Sequence, residues 1–189
     1  MSRPIQTEVN LESLIDTLAS RDGMARQKAR KSLVAMGKPA TPSLIRALRN
    51  SKVDQVRWEA AKALGAIGDA KAIPSLVKAL EDRDPDVAWL AAEALQKYKK
   101  AAWPVLFRTL LKQGAHSDSL RHGVHHVLRN QREEGFDDLL ELLLKALEAE
   151  TVPEMTPVAA YDILERMNAR AKDDDSRAFG IRRRPKRTP

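Results

Sequence analysis

Apolar residues recur along this chain at two spacings, one inside each helix and one between copies of a longer unit. Val56, Ala60 and Leu64 stand four apart, the spacing of one ridge of an α-helix. The same ridge returns 31 residues later as Val87, Ala91 and Leu95, and 31 residues earlier as Ala25, Ala29 and Leu33. It returns again after a further 33 residues as Leu120, Val124 and Leu128. A second helix follows each ridge, in the pattern apolar, apolar, basic, small, Leu: Leu44–Leu48, Leu76–Leu80, Leu106–Leu110 and Leu143–Leu147. Three of these lie just after a proline (Pro42, Pro74, Pro104), which suits a first helical turn because its missing N–H would have had no partner there. Each unit therefore predicts a helix A, a short turn and a helix B. Gly37 and Gly68 are placed as C-caps of the A helices, and Tyr98-Lys99-Lys100 fills the third turn. A period near thirty with helical spacing inside it predicts an all-α stack of helix pairs, an α-α superhelix or solenoid.

Residues 54–82 read Val-Arg-x-x-Ala-Ala-x-Ala-Leu-Gly-x-Ile-Gly-Asp and then x-Pro-x-Leu-x-x-Ala-Leu. This resembles the HEAT-like repeat named for its occurrence in phycobilisome lyases. Copies at about 23–51, 84–113 and, more degenerate, 118–150 extend the resemblance. It implies about four HEAT-like helix pairs, with B helices lining a groove. Such repeats serve as scaffolds, lyase subunits and enzyme appendages alike.

A stack of this kind needs covered ends. Leu11, Leu14, Ile15 and Leu18 follow Asn10, an N-cap residue type, and predict a front cap helix over 11–20, placed like a lone helix B behind an arm of residues 1–10. Thr156-Pro157 opens a rear cap over 156–171, with Val158, Tyr161, Ile163, Leu164 and Met167 on a helical face. Residues 172–189 have little apolar content and are expected to be a disordered basic tail.

Composition narrows the chemistry. With no cysteine among 189 residues, disulfides, thiolate catalysis and thiolate metal sites are excluded. No apolar run approaches the ~20 residues needed to span a bilayer, and the start lacks a signal-peptide pattern, so a cytoplasmic protein with no membrane contact is expected. The net charge is +7, but residues 181–189 carry five cations (Arg182, Arg183, Arg184, Lys186, Arg187) and no acid. The repeat body is thus near balance, and the tail is the electrostatic auxiliary.

Three constellations stand out. Arg46, Lys78, Arg108 and Lys145 share one place in successive B helices, pointing away from the core, and form a row of cations along the B-helix surface. Trp58, Trp89 and His122 share one place in the A helices, off the core ridge, where they either pack between neighbouring A helices or stand exposed as anchors. The histidines cluster at 116, 122, 125 and 126. His122 and His126 are spaced to share a helical face, but no carboxylate lies between Ser119 and Asn130, and the His-Glu pairs of HEAT-repeat di-iron hydroxylases are absent. No metal or cofactor is expected. Glu81, Asp82, Asp84 and Asp86 crowd a turn, where they suit helix capping. Asp54 and Arg57, repeated as Asp118 and Arg121, suit capping plus a salt link between units; Ala88 breaks that link in the third copy.

The function these features point to is a noncatalytic scaffold that binds a protein partner through the helix-B groove. One alternative is a nucleic-acid-binding module using the cation row and the tail, with a steep salt dependence. The other, implied by the resemblance, is a chromophore-lyase-type subunit.

Overall fold

A computed structural model describes residues 4–113, 117–148 and 155–178. Its α-helices are α1 (Pro4–Thr17), α2 (Gly23–Met36), α3 (Thr41–Asn50), α4 (Asp54–Ile67), α5 (Ile73–Ala79), α6 (Pro85–Tyr98), α7 (Trp103–Gln113), α8 (Asp118–Leu128), α9 (Asp137–Glu148) and α10 (Met155–Ala178). Short 3-10 turns at Lys38–Ala40, Ala70–Ala72 and Lys99–Ala102 lead into α3, α5 and α7. No helix among the described residues is long and apolar enough to cross a membrane.

The helices form two layers. α2, α4, α6 and α8 stack as the A layer, and α1, α3, α5 and α7 as the B layer, with α3, α5 and α7 each also packing on the A helix that follows. The sequence ridges meet at the seam: Ala29 and Leu33, Val56, Ala60 and Leu64, Val87, Ala91 and Leu95, and Leu120, Val124 and Leu128 are all buried. Leu44, Leu48, Leu76, Leu80, Leu106 and Leu110 complete it from the other layer, and Leu143 and Leu147 of α9 are buried behind α8. Alanines and a glycine set the helix spacing. A Cβ on Gly65 would lie 2.7 Å from the Ala94 Cβ, so α4 and α6 touch nearly backbone to backbone there.

Arginines tie the units together. Arg57 is buried and grips Asp82 through Nε (2.8 Å) and Nη2 (2.7 Å), Asp54 through Nη2 (2.6 Å), and the Ser51 carbonyl through Nη1 (3.0 Å). The Asp82 hydrogen bond raises the Arg57 pKa further, against the cost of burial. Asp54 does not cap α4; Val53 holds that place without a side-chain bond. Asp84 does cap α6, accepting from the Asp86 and Val87 N–H groups.

The ends differ from the sequence reading. α1 begins at Pro4, so Asn10 lies inside the helix rather than capping it, and the expected arm is helical from its fourth residue. α10 runs on through Ala178, past the expected end at 171. Its place differs too: α10 packs against both α7 and α9, antiparallel to α9, and takes the position beside α7 that a regular fourth B helix would hold. Beneath it lies an aromatic knot in which Trp103 meets Phe107 at 5.8 Å and Phe136 at 5.7 Å between ring centres. Arg170 of α10 lies 4.6 Å from the Phe136 ring centre.

Candidate functional site

Arg46, Lys78 and Arg108 all project from the exposed face of the B layer, on the neighbouring helices α3, α5 and α7. The repeat dictates this: each sits between two buried leucines of its helix and so points outward. Among the described residues no carboxylate pairs with any of the three; Arg46 donates only to Ser43 Oγ, at 3.1 Å. Between α5 and α7 runs a groove of about 510 Å³ walled by Val77, Lys78, Glu81, Val105, Arg108 and Lys112. A second, of about 330 Å³ at the ends of α3 and α5, adds Arg49, Lys52 and Arg83. Of its two acids, Asp82 is committed to Arg57 and Glu81 accepts from Ser117 Oγ at 2.6 Å. At the front, Arg46 faces Glu12 and Asp16 of α1 across a groove of about 480 Å³.

Lys145 does not continue the row. α10 stands between α7 and α9, and Lys145 pairs along its own helix with Glu141 at 2.7 Å. That pairing raises the Lys145 pKa and lowers that of Glu141. The sequence shows the repeated position but not the helix inserted beside it. The tail cations Arg182, Arg183, Arg184, Lys186 and Arg187, and His116, lie outside the described residues.

The A-layer column divides into different roles. Trp58 is half-buried and donates from Nε1 to Asp84 Oδ1 at 3.0 Å, joining α4 to the N-cap of α6. That hydrogen bond, with the Val87 and Asp86 N–H groups, holds the Asp84 carboxyl below the usual range. Trp58 is therefore an internal tie and not an open anchor. Trp89, by contrast, is 52 % exposed, and its indole leans on the His126 ring at 3.9 Å between centres. His126 is buried and bonded through Nε2 to Glu93 at 2.7 Å. His122 is exposed, and with His126 it lines a cleft of about 350 Å³ between α6 and α8. The helical spacing of the two histidines indicated this shared face; the Glu93 partner, one helix away, had no signal in sequence. His125 bonds to Glu148 at 2.9 Å instead. Among the described residues no three His, Asp or Glu side chains gather as a metal would need.

Comparison with known proteins adds the family. The family model for HEAT repeats matches residues 11–96 and, overlapping, 41–129. Among solved structures, one chain from the complex of CpcE and CpcF of phycocyanin lyase from Nostoc sp. PCC7120 is similar in fold. It has a TM-score of 0.53 and 22% identity, over 82% of this chain and 99% of that one. No curated protein matches the sequence.

Proposed function

The chain belongs to the HEAT-repeat family, and from that premise we propose that it is a noncatalytic scaffold that binds an acidic stretch of a protein partner along α3, α5 and α7. One observation carries the reading: Arg46, Lys78 and Arg108 stand outward on three adjacent stacked helices, with no carboxylate among the described residues paired to them. Their charge is thus available to a partner. A prebuilt row of this kind lowers the ordering cost of binding an extended segment. It also speeds encounter with a negative one.

The test is capture of partners from native lysate by the full chain at ~0.15 M salt, with and without nuclease, beside a K78E/R108E variant. A discrete protein held after nuclease and lost by the variant supports the scaffold. Material held only through nucleic acid would move the function to nucleic-acid binding, with Arg182, Arg183, Arg184, Lys186 and Arg187 as contributors.

A second reading has its own support. The similar solved chain belongs to a complex of two proteins of phycocyanin lyase, and this chain aligns with almost its full length. On that reading the chain is a subunit of a lyase-type pair. Co-expression with a bilin and a phycobiliprotein, followed by visible absorbance, separates the two: a covalent bilin adduct that depends on this chain favours the lyase role.

A further inference from the structure

The A layer departs from its own pattern at one position. Arg26, Arg57 and Arg121 hold equivalent places in α2, α4 and α8. Each donates to a backbone carbonyl at a neighbouring helix end: Ser20 for Arg26 (2.7 Å), Ser51 for Arg57 (3.0 Å) and Leu147 for Arg121 (2.9 Å). In α6 the place belongs to Ala88. The missing arginine, and the missing side chain of Gly123 across from it, leave open the cleft of about 350 Å³ over Leu80. A Cβ on Gly123 would come within 3.1 Å of the Leu80 side chain and begin to close it.

The wall of this cleft is held ready. Trp89 rests on His126, which Glu93 fixes by its ring and Gln96 by its carbonyl (2.6 Å), so the indole is braced from behind while half of it stays open. Leu80, Ala88 and Ala92 make the surround apolar, and Ser119 and His122 offer hydrogen bonds at the rim. Among the described residues, no unpaired charge faces inward from the turn. Both oxygens of Asp82 are held by Arg57, and the Arg83 guanidinium is drawn away to the Lys52 carbonyl (2.8 Å) and Asp54 (3.3 Å). An apolar pocket with a few polar groups at its edge, near the small end of the ~300–1,000 Å³ range, is the common form of a small-ligand site. An indole wall favours a ring over an aliphatic group of equal size, because offset or tilted stacking rewards aromatic partners.

We propose that the cleft between α6 and α8 binds a small, neutral, planar aromatic molecule stacked on Trp89. The site lies in the A layer and is independent of the B-layer scaffold reading.

Indole is the probe, with cyclohexanol as a non-aromatic control, titrated into the full ¹⁵N-labelled chain and followed through the tryptophan side-chain N–H signals. Trp58 and Trp103 donate to Asp84 and to Gln131 (2.7 Å), so their signals serve as internal references. Indole is expected to move the Trp89 signal saturably, with a Kd on the order of 1 mM, and cyclohexanol to bind at least about tenfold more weakly. Ala88→Arg restores the residue of the other copies and fills the cleft, and saturation should vanish with it. If that variant disturbs the Trp58 and Trp103 signals, Trp89→Leu, followed through the His122 ring protons, carries the same expectation. A drift of all three tryptophans without saturation, equal binding of cyclohexanol, or undiminished binding with the cleft filled would each overturn the proposal.

Discussion

At Lys99 the backbone takes a φ of 49°, in the register where Gly37 has 69° and Gly68 has 71°. Two copies of the repeat meet that turn with the residue that has no Cβ to strain; the third meets it with lysine. Strain of this kind costs about 1–3 kcal/mol, and the entropy glycine loses on folding offsets up to about 1 of it. Lys99→Gly is thus expected to stabilise the chain by about 1 kcal/mol, checked by urea denaturation. The glycines were legible as C-caps, while the strain at Lys99 was not, since a lysine in a turn carries no mark of its φ. The neighbouring Tyr98 makes a different point. Its hydroxyl donates to the Leu64 carbonyl at 2.9 Å, with that of Asp69 at 3.2 Å, and burial, helped by the Asp69 charge, pushes its pKa up to about 12. An unfolded tyrosine titrates near pH ~10. Between those values the unfolded chain gives up a proton that the folded chain keeps, so the stabilisation is full below pH ~10 and lost as pH rises toward 12. Tyr98→Phe should cost ~1 kcal/mol at neutral pH and flatten the alkaline decline relative to the parent, read from denaturation curves at a series of pH values.

α10 separates what a helical pattern reveals from what it conceals. Its existence was readable from Thr156-Pro157 and the apolar residues that follow. Its buried face was readable only in part: Ile163 is fully buried and Leu164 and Met167 pack against the core, as the pattern has them, but Ala159 and Ala160 are fully buried too, whereas Val158 and Tyr161 are 52 % and 53 % exposed. Val158 and Tyr161 share the apolar spacing, but the gap between α7 and α9 takes the small side chains of Ala159 and Ala160 instead. Thr156 is likewise no N-cap; it is buried inside the first turn and its hydroxyl donates to the Ala146 carbonyl at 3.2 Å. The assignment of faces is measurable. Ile163→Ala is expected to cost about 2–4 kcal/mol through the cavity it leaves. Tyr161→Ala, though a larger truncation, should stay within ~0.5 kcal/mol in the same urea titration, as exposed sites do. The reverse order would mean that α10 is turned the other way against its neighbours.

Across the molecule, the period of 31 residues was enough to place the A and B layers, because each copy repeats the same ridge and so meets its neighbour in the same way. α10 breaks the period through contacts that no repeat encodes, and the consequence reaches the candidate interface. By sequence position alone, Lys145 is the fourth member of a row with Arg46, Lys78 and Arg108. In space the row ends at Arg108, since α10 follows α7, and Lys145 turns to Glu141 beyond it. The two arrangements give different outcomes for charge reversal. If the partner lies along α3, α5 and α7, K78E/R108E should weaken capture by about tenfold or more, chiefly through slower association and with a shallower dependence on salt. K145E should leave affinity within about twofold, because an exposed cation already paired along its helix, on the far side of an intervening one, adds little to the field at the groove. Surface-immobilised partner and full-length variants at several ionic strengths would supply both rates. Equal losses from R108E and K145E would show that the partner also crosses α10, making that helix part of the bound surface rather than the end of it.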